Sequence, residues 1–319
     1  MNILLLGGAG FIGTNLVIEL AKNLSNNITV VDINESYFDN LKQLNLKNVK
    51  TIVSAFDSKT NYCNLLKGFD IVYHLISKSI PTTSSLDFTT EFDNISISVA
   101  ILDACVKENI KKIIFISSGG TVYGKEVEYP IKEENPTNPI CSYGLQKLVI
   151  EKLIYLCNHN FGIDYNIIRL ANPYGPYQRP NGKLGAITTF TYKTIKDESI
   201  ILFGDGGVVR DYIYIKDAIK AIINISFNKT QHKIYNIGTG VGISLNEVLK
   251  IISSVLNKPI NIDYKKSRNV DVPISILDIS RYQKEFGKLA NTSFADGIQL
   301  TANYLKTIYY IVLLFYQLQ

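Results

Sequence analysis

The run Ile3-Leu4-Leu5-Leu6-Gly7-Gly8-Ala9-Gly10-Phe11-Ile12-Gly13 decides the fold of this chain. Four apolar residues in succession suit a strand buried on both faces. The glycines end it, and Leu16, Val17 and Leu20 then recur at helical spacing. A second apolar strand, Ile28-Thr29-Val30-Val31, ends in Asp32. Strand, glycine turn, helix, strand and acid is the order of a dinucleotide-binding unit. Gly7 permits the tight turn, Gly10 lets backbone approach a pyrophosphate, and Gly13 lets helix and strand pack closely. The backbone N–H groups of Phe11 and Ile12 open the helix, whose positive end favours phosphate. A carboxylate at Asp32 accepts both hydroxyls of a ribose and repels a 2′-phosphate. The nearest arginine in sequence is Arg169, far from any rescue of that phosphate. The expected cofactor is therefore NAD rather than NADP.

Outward from this unit the alternation continues. Strands are expected at Val49–Val53, Ile71–Leu75, Ile113–Ser117 and Tyr165–Leu170, with helices near Tyr62–Leu66 and Ile95–Lys107. Asp57 and Leu75 fall at strand ends and join the candidate cofactor contacts, although a turn role for Asp57 is equally open. Alternating strands and helices imply an α/β fold with a doubly wound parallel sheet of the Rossmann type. The character changes after Pro173. Residues 172–185 are rich in Pro, Gly, Tyr and Asn and read as an ordered loop. Beyond them come helices at Leu245–Leu256 and Asp296–Ile308, with short strands at Ile200–Phe203, Ile234–Ile237 and Ile260–Tyr264. The expected division is a cofactor domain of residues 1–171 plus about 205–237. A smaller, mixed C-terminal substrate domain takes about 172–204 and 238–319.

Composition bounds the function. Hydrophobic residues make up 46% of 319, enough for a sizeable core. The net charge of +5 is spread among acids without a basic run, which argues against a nucleic-acid surface. Cys63, Cys105, Cys141 and Cys157 form no metal-ligand spacing, so no metal is expected, and a reducing, cytoplasmic location is. The apolar stretch Ile308–Tyr316 is about half the ~20 residues of a membrane span and reads as the end of a packed helix.

Tyr143-Gly-Leu-Gln-Lys147 places a phenol and an ammonium one helical turn apart. A phenol near pKa ~10 is a poor base at neutral pH, and a neighbouring cation favours its ionised form. Such a pair can remove a hydroxyl proton while hydride leaves the same carbon. The spacing alone is not specific, because it recurs at Tyr192/Lys196 and Tyr212/Lys216, about the number that chance supplies. Only Tyr143/Lys147 follows a buried strand ending in Ser117-Ser118-Gly119-Gly120-Thr121-Val122-Tyr123-Gly124, at the sheet edge where ligands bind. The other two pairs read as solvated faces.

These segments together resemble the extended short-chain dehydrogenase/reductases, and within them the NAD-dependent nucleotide-sugar epimerase/dehydratase family. The resemblance runs over nearly the whole chain. It takes in Asn94 before the catalytic strand, Arg169-Leu-Ala-Asn172-Pro-Tyr-Gly175, Gly204-Asp-Gly206, Arg210-Asp-Tyr212, Asn236-Ile-Gly238, Arg268-Asn-Val-Asp271 and Phe294-Ala-Asp-Gly297. It implies that Tyr143 and Lys147 are catalytic and, with Asn94, touch the cofactor. It also implies a UDP-sugar held by Asn172, Arg210, Arg268 and Asp271, the two arginines gripping the diphosphate. Phe203 could pack on the base or belong to the core. Family members dimerise through the helices containing Ile95–Lys107 and Tyr143–Leu156, so a homodimer is expected.

One position departs from the family pattern. Gly119 stands where a Ser or Thr usually hydrogen-bonds the sugar 4-hydroxyl, so Ser118 or, second to it, Thr121 is expected to substitute. Gly120 and Thr121 also stand where related 4,6-dehydratases carry an Asp-Glu pair, which disfavours dehydration. The resemblance thus points to 4-epimerisation of a UDP-hexose, glucose/galactose or their N-acetyl forms. A sugar-acid decarboxylase or epimerase, with Lys183 or Arg179 binding the carboxylate, and a non-catalytic NAD-binding regulator remain the alternatives.

Overall fold

The computed structural model describes residues 1–79, 88–125, 128–180, 185–267, 272–289 and 292–317. The first half alternates strands and helices: β1 (Asn2–Leu6), α1 (Phe11–Leu20), β2 (Asn27–Asp32), α2 (Asp39–Gln43), β3 (Val49–Val53), α3 (Tyr62–Leu66), β4 (Ile71–His74), α4 (Phe88–Lys107), β5 (Lys112–Ser118), α5 (Ser142–Phe161) and β6 (Asp164–Leu170). The second half is mixed: β7 (Asn172–Tyr174), α6 (Ala186–Ile195), β8 (Ile200–Phe203), β9 (Val209–Tyr214), α7 (Ile215–Phe227), β10 (Ile234–Ile237), β11 (Gly242–Ser244), α8 (Leu245–Leu256), β12 (Ile262–Lys265), β13 (Ile274–Ser275), α9 (Ser280–Phe286) and α10 (Phe294–Gln317).

Seven strands form one sheet in the order β10-β6-β5-β4-β1-β2-β3, parallel throughout. The order reverses between β1 and β4, and ligands of such sheets bind in the crevice that this reversal opens. β1 and β2 are apolar runs because helices cover both faces. One face packs Leu5, Leu16 and Ile219 into a large core, and the other packs Leu4, Ile101 and Ile150 into a second. The smaller part holds a four-stranded sheet of β7, β9, β11 and β13, and a pair, β8 with β12. β10 carries the chain back to the edge of the large sheet beside β6.

The expected strands are present, and three of the differences are instructive. Helix α4 begins at Phe88 rather than near Ile95, because its first turns carry Glu91 and Asn94 inward as polar residues and so lack apolar periodicity. Tyr212 is not on a solvated face: it is a buried strand residue of β9, whereas Lys216 is exposed on α7. The pair therefore spans a strand-to-helix junction, where helical spacing means nothing. The last helix runs to Gln317, through the apolar stretch from Ile308. Among the described residues no helix is long and apolar enough to cross a membrane.

Candidate active site

The glycine turn joins β1 to α1 at the carboxyl edge of the sheet. Gly7 has φ +73°, and a Cβ there would lie 3.0 Å from the backbone nitrogen of Ile76, so Leu75 and Ile76 after β4 close against it. A Cβ on Gly13 would lie 2.3 Å from the carbonyl oxygen of Gly8, which is how α1 seats on the turn. A Cβ on Gly10, in contrast, would meet only the carbonyl oxygen of Gly7, at an ordinary 3.9 Å. No side chain caps the first turn of α1, so the N–H groups of Phe11 and Ile12 stay available for a phosphate.

Asp32 ends β2, buried, and accepts from the N–H of Ala9 (3.0 Å) and of Ile33 (2.8 Å). Burial raises its carboxyl pKa. The two N–H groups and the charge of Arg179 oppose that rise. Arg179 is far away in sequence, yet its guanidinium lies 4.6 Å from the ring centre of Tyr37, just past β2. The segment after β7 folds back across the sheet edge, so an arginine does stand near the acid, contrary to the reading from sequence distance. Asp57, the other candidate, lies past the end of β3 rather than at it, and accepts from Lys59 N–H and from both the N–H and the hydroxyl of Thr60. Those bonds give it a turn role and lower its pKa.

The Tyr143–Lys147 pair sits on the first turns of α5. Tyr143 is half-buried and Lys147 buried. The Lys147 ammonium donates to the carbonyl of Ile116 at 3.1 Å, lies 4.8 Å from the centre of the Phe115 ring and 5.6 Å from that of Tyr143. Burial pushes its pKa down to about 8, against the pull of Glu151 and Glu91. Burial raises the Tyr143 phenol, and Cys141 and Glu91 add to the rise. His74, at the end of β4, is buried with Nε2 2.8 Å from Ser98 Oγ; its pKa falls to about 3, chiefly by burial and then by the charge of Lys147.

Around Thr121 the backbone turns back on itself, its N–H meeting the carbonyl of Ser118 at 3.4 Å. The Thr121 hydroxyl is buried without a hydrogen-bond partner among the described residues. A Cβ on Gly119 would lie 2.5 Å from Cδ1 of Leu277, while one on Gly120 would meet nothing within 4 Å. The site therefore opens above Gly120, and position 119 is committed to packing.

Residues 3–238 match the model of the NAD dependent epimerase/dehydratase family. The chain belongs to that family. It is 34% identical to a putative UDP-glucose 4-epimerase of Methanocaldococcus jannaschii over 95% of this chain and 98% of that one. It is 30% identical to a dTDP-4-dehydro-6-deoxyglucose reductase of Escherichia coli over 93% and 95%. The UDP-glucose 4-epimerase of Thermotoga maritima, solved with UDP-glucose, superposes with a TM-score of 0.90 at 31% identity, covering 97% of this chain and 99% of that one.

Within this family member the residues expected at the site divide into groups. Gly7, Gly10, Phe11, Ile12, Gly13, Asp32, Leu75, Ser118, Thr121, Tyr143 and Lys147 line one edge of the large sheet, around β1, β2, β4, β5 and α5. Asn94 reaches the same edge from α4: its Oδ1 accepts from Lys78 N–H at 3.2 Å and its Nδ2 stands 3.4 Å from Ser79 Oγ. Asn172 and Arg210 belong to the smaller sheet, where Asn172 Nδ2 donates to the carbonyl of Asp211 at 2.9 Å and Arg210 Nη1 to that of Val209 at 2.9 Å. Phe203 is on the exposed side of β8, so it is not core. Arg268, Asp271 and Lys183 lie outside the described residues. Arg169 serves structure: it grips Glu151 through Nε (3.2 Å) and Nη2 (2.7 Å), and Glu151 also accepts from Ser117 Oγ at 2.5 Å.

Sequence reasoning missed Glu91, Ser79 and Gln146, which gather beside Tyr143. Ser79 Oγ donates to Glu91 Oε2 at 2.7 Å and lies 3.4 Å from Gln146 Oε1. The available signal was helical spacing: Glu91 stands one turn before Asn94, a residue already expected to face the cofactor.

Proposed function

We propose that this chain is an NAD-dependent UDP-hexose 4-epimerase, acting as a homodimer in the cytoplasm. The observation that carries the reading is Tyr143 and Lys147 held at the carboxyl end of β5, on the same sheet edge as the glycine turn and Asp32. The cradle fits NAD: Gly10 is uncrowded, the first N–H groups of α1 are uncapped, and Asp32 presents a carboxylate to a ribose. Gly7, Gly10, Phe11, Ile12, Gly13, Asp32, Leu75 and Asn94 would hold it. When bound, NAD supplies a reversible hydride acceptor at C4 of the sugar.

The protein's own part is acid–base chemistry and positioning. Tyr143 takes the proton of the 4-hydroxyl as hydride departs, and returns it when hydride comes back to the opposite face of the 4-keto sugar. Lys147 favours the phenolate by charge. The unpartnered hydroxyl of Thr121 is the best placed to bond the reacting oxygen, with Ser118 second. Arg210 binds the diphosphate with Arg268, Asn172 and Asp271 contribute nearby, and Phe203 offers a face to the base. Gly120 leaves the space where a dehydratase would need a carboxylate. The division into 1–171 plus about 205–237 and about 172–204 plus 238–319 follows this split of labour except at β9, whose Arg210 belongs with the smaller sheet. The dimer reading rests on α4 and α5, which pack together and leave Phe92, Leu145 and Leu156 exposed.

Proton NMR of the purified protein with UDP-galactose and catalytic NAD tests the reaction. The UDP-glucose anomeric signal should rise to a steady ratio without added reductant. No new signal with UDP-galactose, its N-acetyl form or UDP-glucuronate would overturn the reading, and stoichiometric consumption of NADH on a 4-keto sugar would make the protein a reductase.

A further inference from the structure

Four charged side chains are buried together behind the active site. Lys147 is 3% exposed, Arg169 3%, Glu151 2% and Glu91 4%. Arg169 and Glu151 satisfy each other in a two-pronged ion pair. That leaves the ammonium of Lys147 and the carboxylate of Glu91. A buried charge is costly unless an opposite charge and hydrogen bonds compensate it. We infer that Glu91, in the first turn of α4, is the counter-ion of the Tyr143–Lys147 pair, a positioning residue that keeps Lys147 charged.

Its attachments support the role. Ser79 Oγ donates to one carboxylate oxygen at 2.7 Å, and Ser142 Oγ lies 3.5 Å from the other. Ser142 immediately precedes Tyr143, and Gln146, 3.4 Å from the same Ser79 hydroxyl, immediately precedes Lys147. The carboxylate is thus held beside Ser142, the residue before Tyr143, and through Ser79 it lies near Gln146, the residue before Lys147. Among the described residues, the charged or titratable groups around the pair are His74 from β4, Glu91 from α4 and Glu151 from α5 itself beside Lys147, and Cys141 beside Tyr143, with Arg169 of β6 joined to Glu151. His74 stays neutral; Glu151 also acts on Lys147 but is paired with Arg169, so among these four buried charges Glu91 is the carboxylate with no guanidinium partner. Both Lys147 and Tyr143 feel it, and it favours the protonated form of each.

The inference rests on the epimerase reading only for its effect on turnover. The decisive measurement needs no substrate. In protein labelled with carbon-13 at lysine Cε, and with the Lys147 signal assigned by Lys147→Arg, the wild-type ammonium should titrate near 8. In Glu91→Gln the midpoint should fall by about one pH unit or more, as loss of an adjacent opposite charge does. Both limbs of the kcat–pH profile should move to lower pH, because removing a negative charge lowers the pKa of Lys147 and of Tyr143 alike. A merely structural role would lower kcat without moving the limbs. If Glu91→Gln does not fold, Glu91→Asp, which keeps the charge but withdraws it by one methylene, should still lower the Lys147 midpoint. An unchanged midpoint in either folded variant overturns the inference. Inactivity of wild-type protein toward every UDP-hexose would instead count against the proposed reaction and leave the lysine titration standing.

Discussion

The ammonium of Lys147 donates to the carbonyl oxygen of Ile116 at 3.1 Å, so α5 is pinned to β5 through the residue one helical turn from Tyr143. The bond fixes where the cation sits relative to the Tyr143 ring. Lys147→Met removes the charge and keeps most of the bulk. It should lower kcat by about 10² or more while the fold survives, and Tyr143→Phe should do the same with NAD binding retained. Single-turnover measurements with UDP-galactose, together with cofactor content after gel filtration, check both. Full turnover by Tyr143→Phe would remove it as the base.

The depressed pKa of Lys147 is also a statement about stability. Its folded value of about 8 lies below the ordinary lysine value of 10.5. Between these values the unfolded chain binds more protons than the folded one, so folding stability rises with pH across that window. The penalty is complete below pH 8 and is relieved toward 10.5, by about 3 kcal/mol at most. Urea unfolding of wild type and Lys147→Met at pH 7 and pH 10 isolates it. The variant should be relatively more stable at pH 7, and the gap should close at pH 10.

His74 acts in the same direction in the acid range. Burial holds its imidazole neutral down to about pH 3, while the unfolded residue takes a proton near 6.5. Stability should therefore fall as pH drops from 6.5 toward 3, by about 1.4 kcal/mol per unit once the unfolded histidine is charged. His74→Asn should remove that part of the acid dependence. Parallel acid profiles for the two proteins would show that His74 contributes none of it.

How much of this was legible beforehand depends on distance along the chain. Gly7 to Asp32 is local: one turn, one helix and two strands carry their own apolar and glycine signals, and the structure keeps them in register from Asn2 with Asn27 to Leu6 with Val31. The pair Tyr143 and Lys147 was legible because helical spacing and the preceding strand coincide. Glu91 was not, since a polar residue within a helix carries no mark of burial until α4 is laid beside α5. Arg179 escaped for the same reason: only the return of the segment after β7 brings it over Tyr37 and into the field of Asp32. Tyr212 misled because the spacing of Tyr and Lys says nothing about whether a strand lies between them.

Asp32 and Arg179 together make the cofactor preference testable. The carboxylate disfavours a 2′-phosphate, but the arginine nearby offers a partner for one. Asp32→Ala should weaken NAD binding by about tenfold or more, the worth of hydrogen bonds to a charged group. It should also raise the affinity for NADP, and adding Arg179→Ala should cancel that gain. Fluorescence titration of each protein with the two reduced cofactors measures these affinities. NADP binding unaffected by Arg179→Ala would place the arginine outside the ribose subsite.

Gly119 and Leu277 carry the last prediction. Position 119 faces Leu277, whose Cδ1 would lie 2.5 Å from an added Cβ, and Leu277 belongs to a small core with Val122, Tyr123, Ile131 and Ile279. Gly119→Ser should therefore overpack this cluster and cost about 1–3 kcal/mol, and Leu277→Ala in the same protein should recover part of it. Activity separates the hydroxyl candidates. If Thr121 bonds the reacting oxygen, Thr121→Val lowers kcat by about 10² with KM little changed, and Ser118→Ala has a smaller effect. In the double variant Gly119→Ser/Leu277→Ala a new hydroxyl stands beside the site, and it should restore turnover to Thr121→Val if position 119 points it at the same oxygen. Failure of that rescue in a stably folded triple variant would mean that the backbone above β5 directs position 119 to packing alone, and that Thr121 is the donor this chain uses.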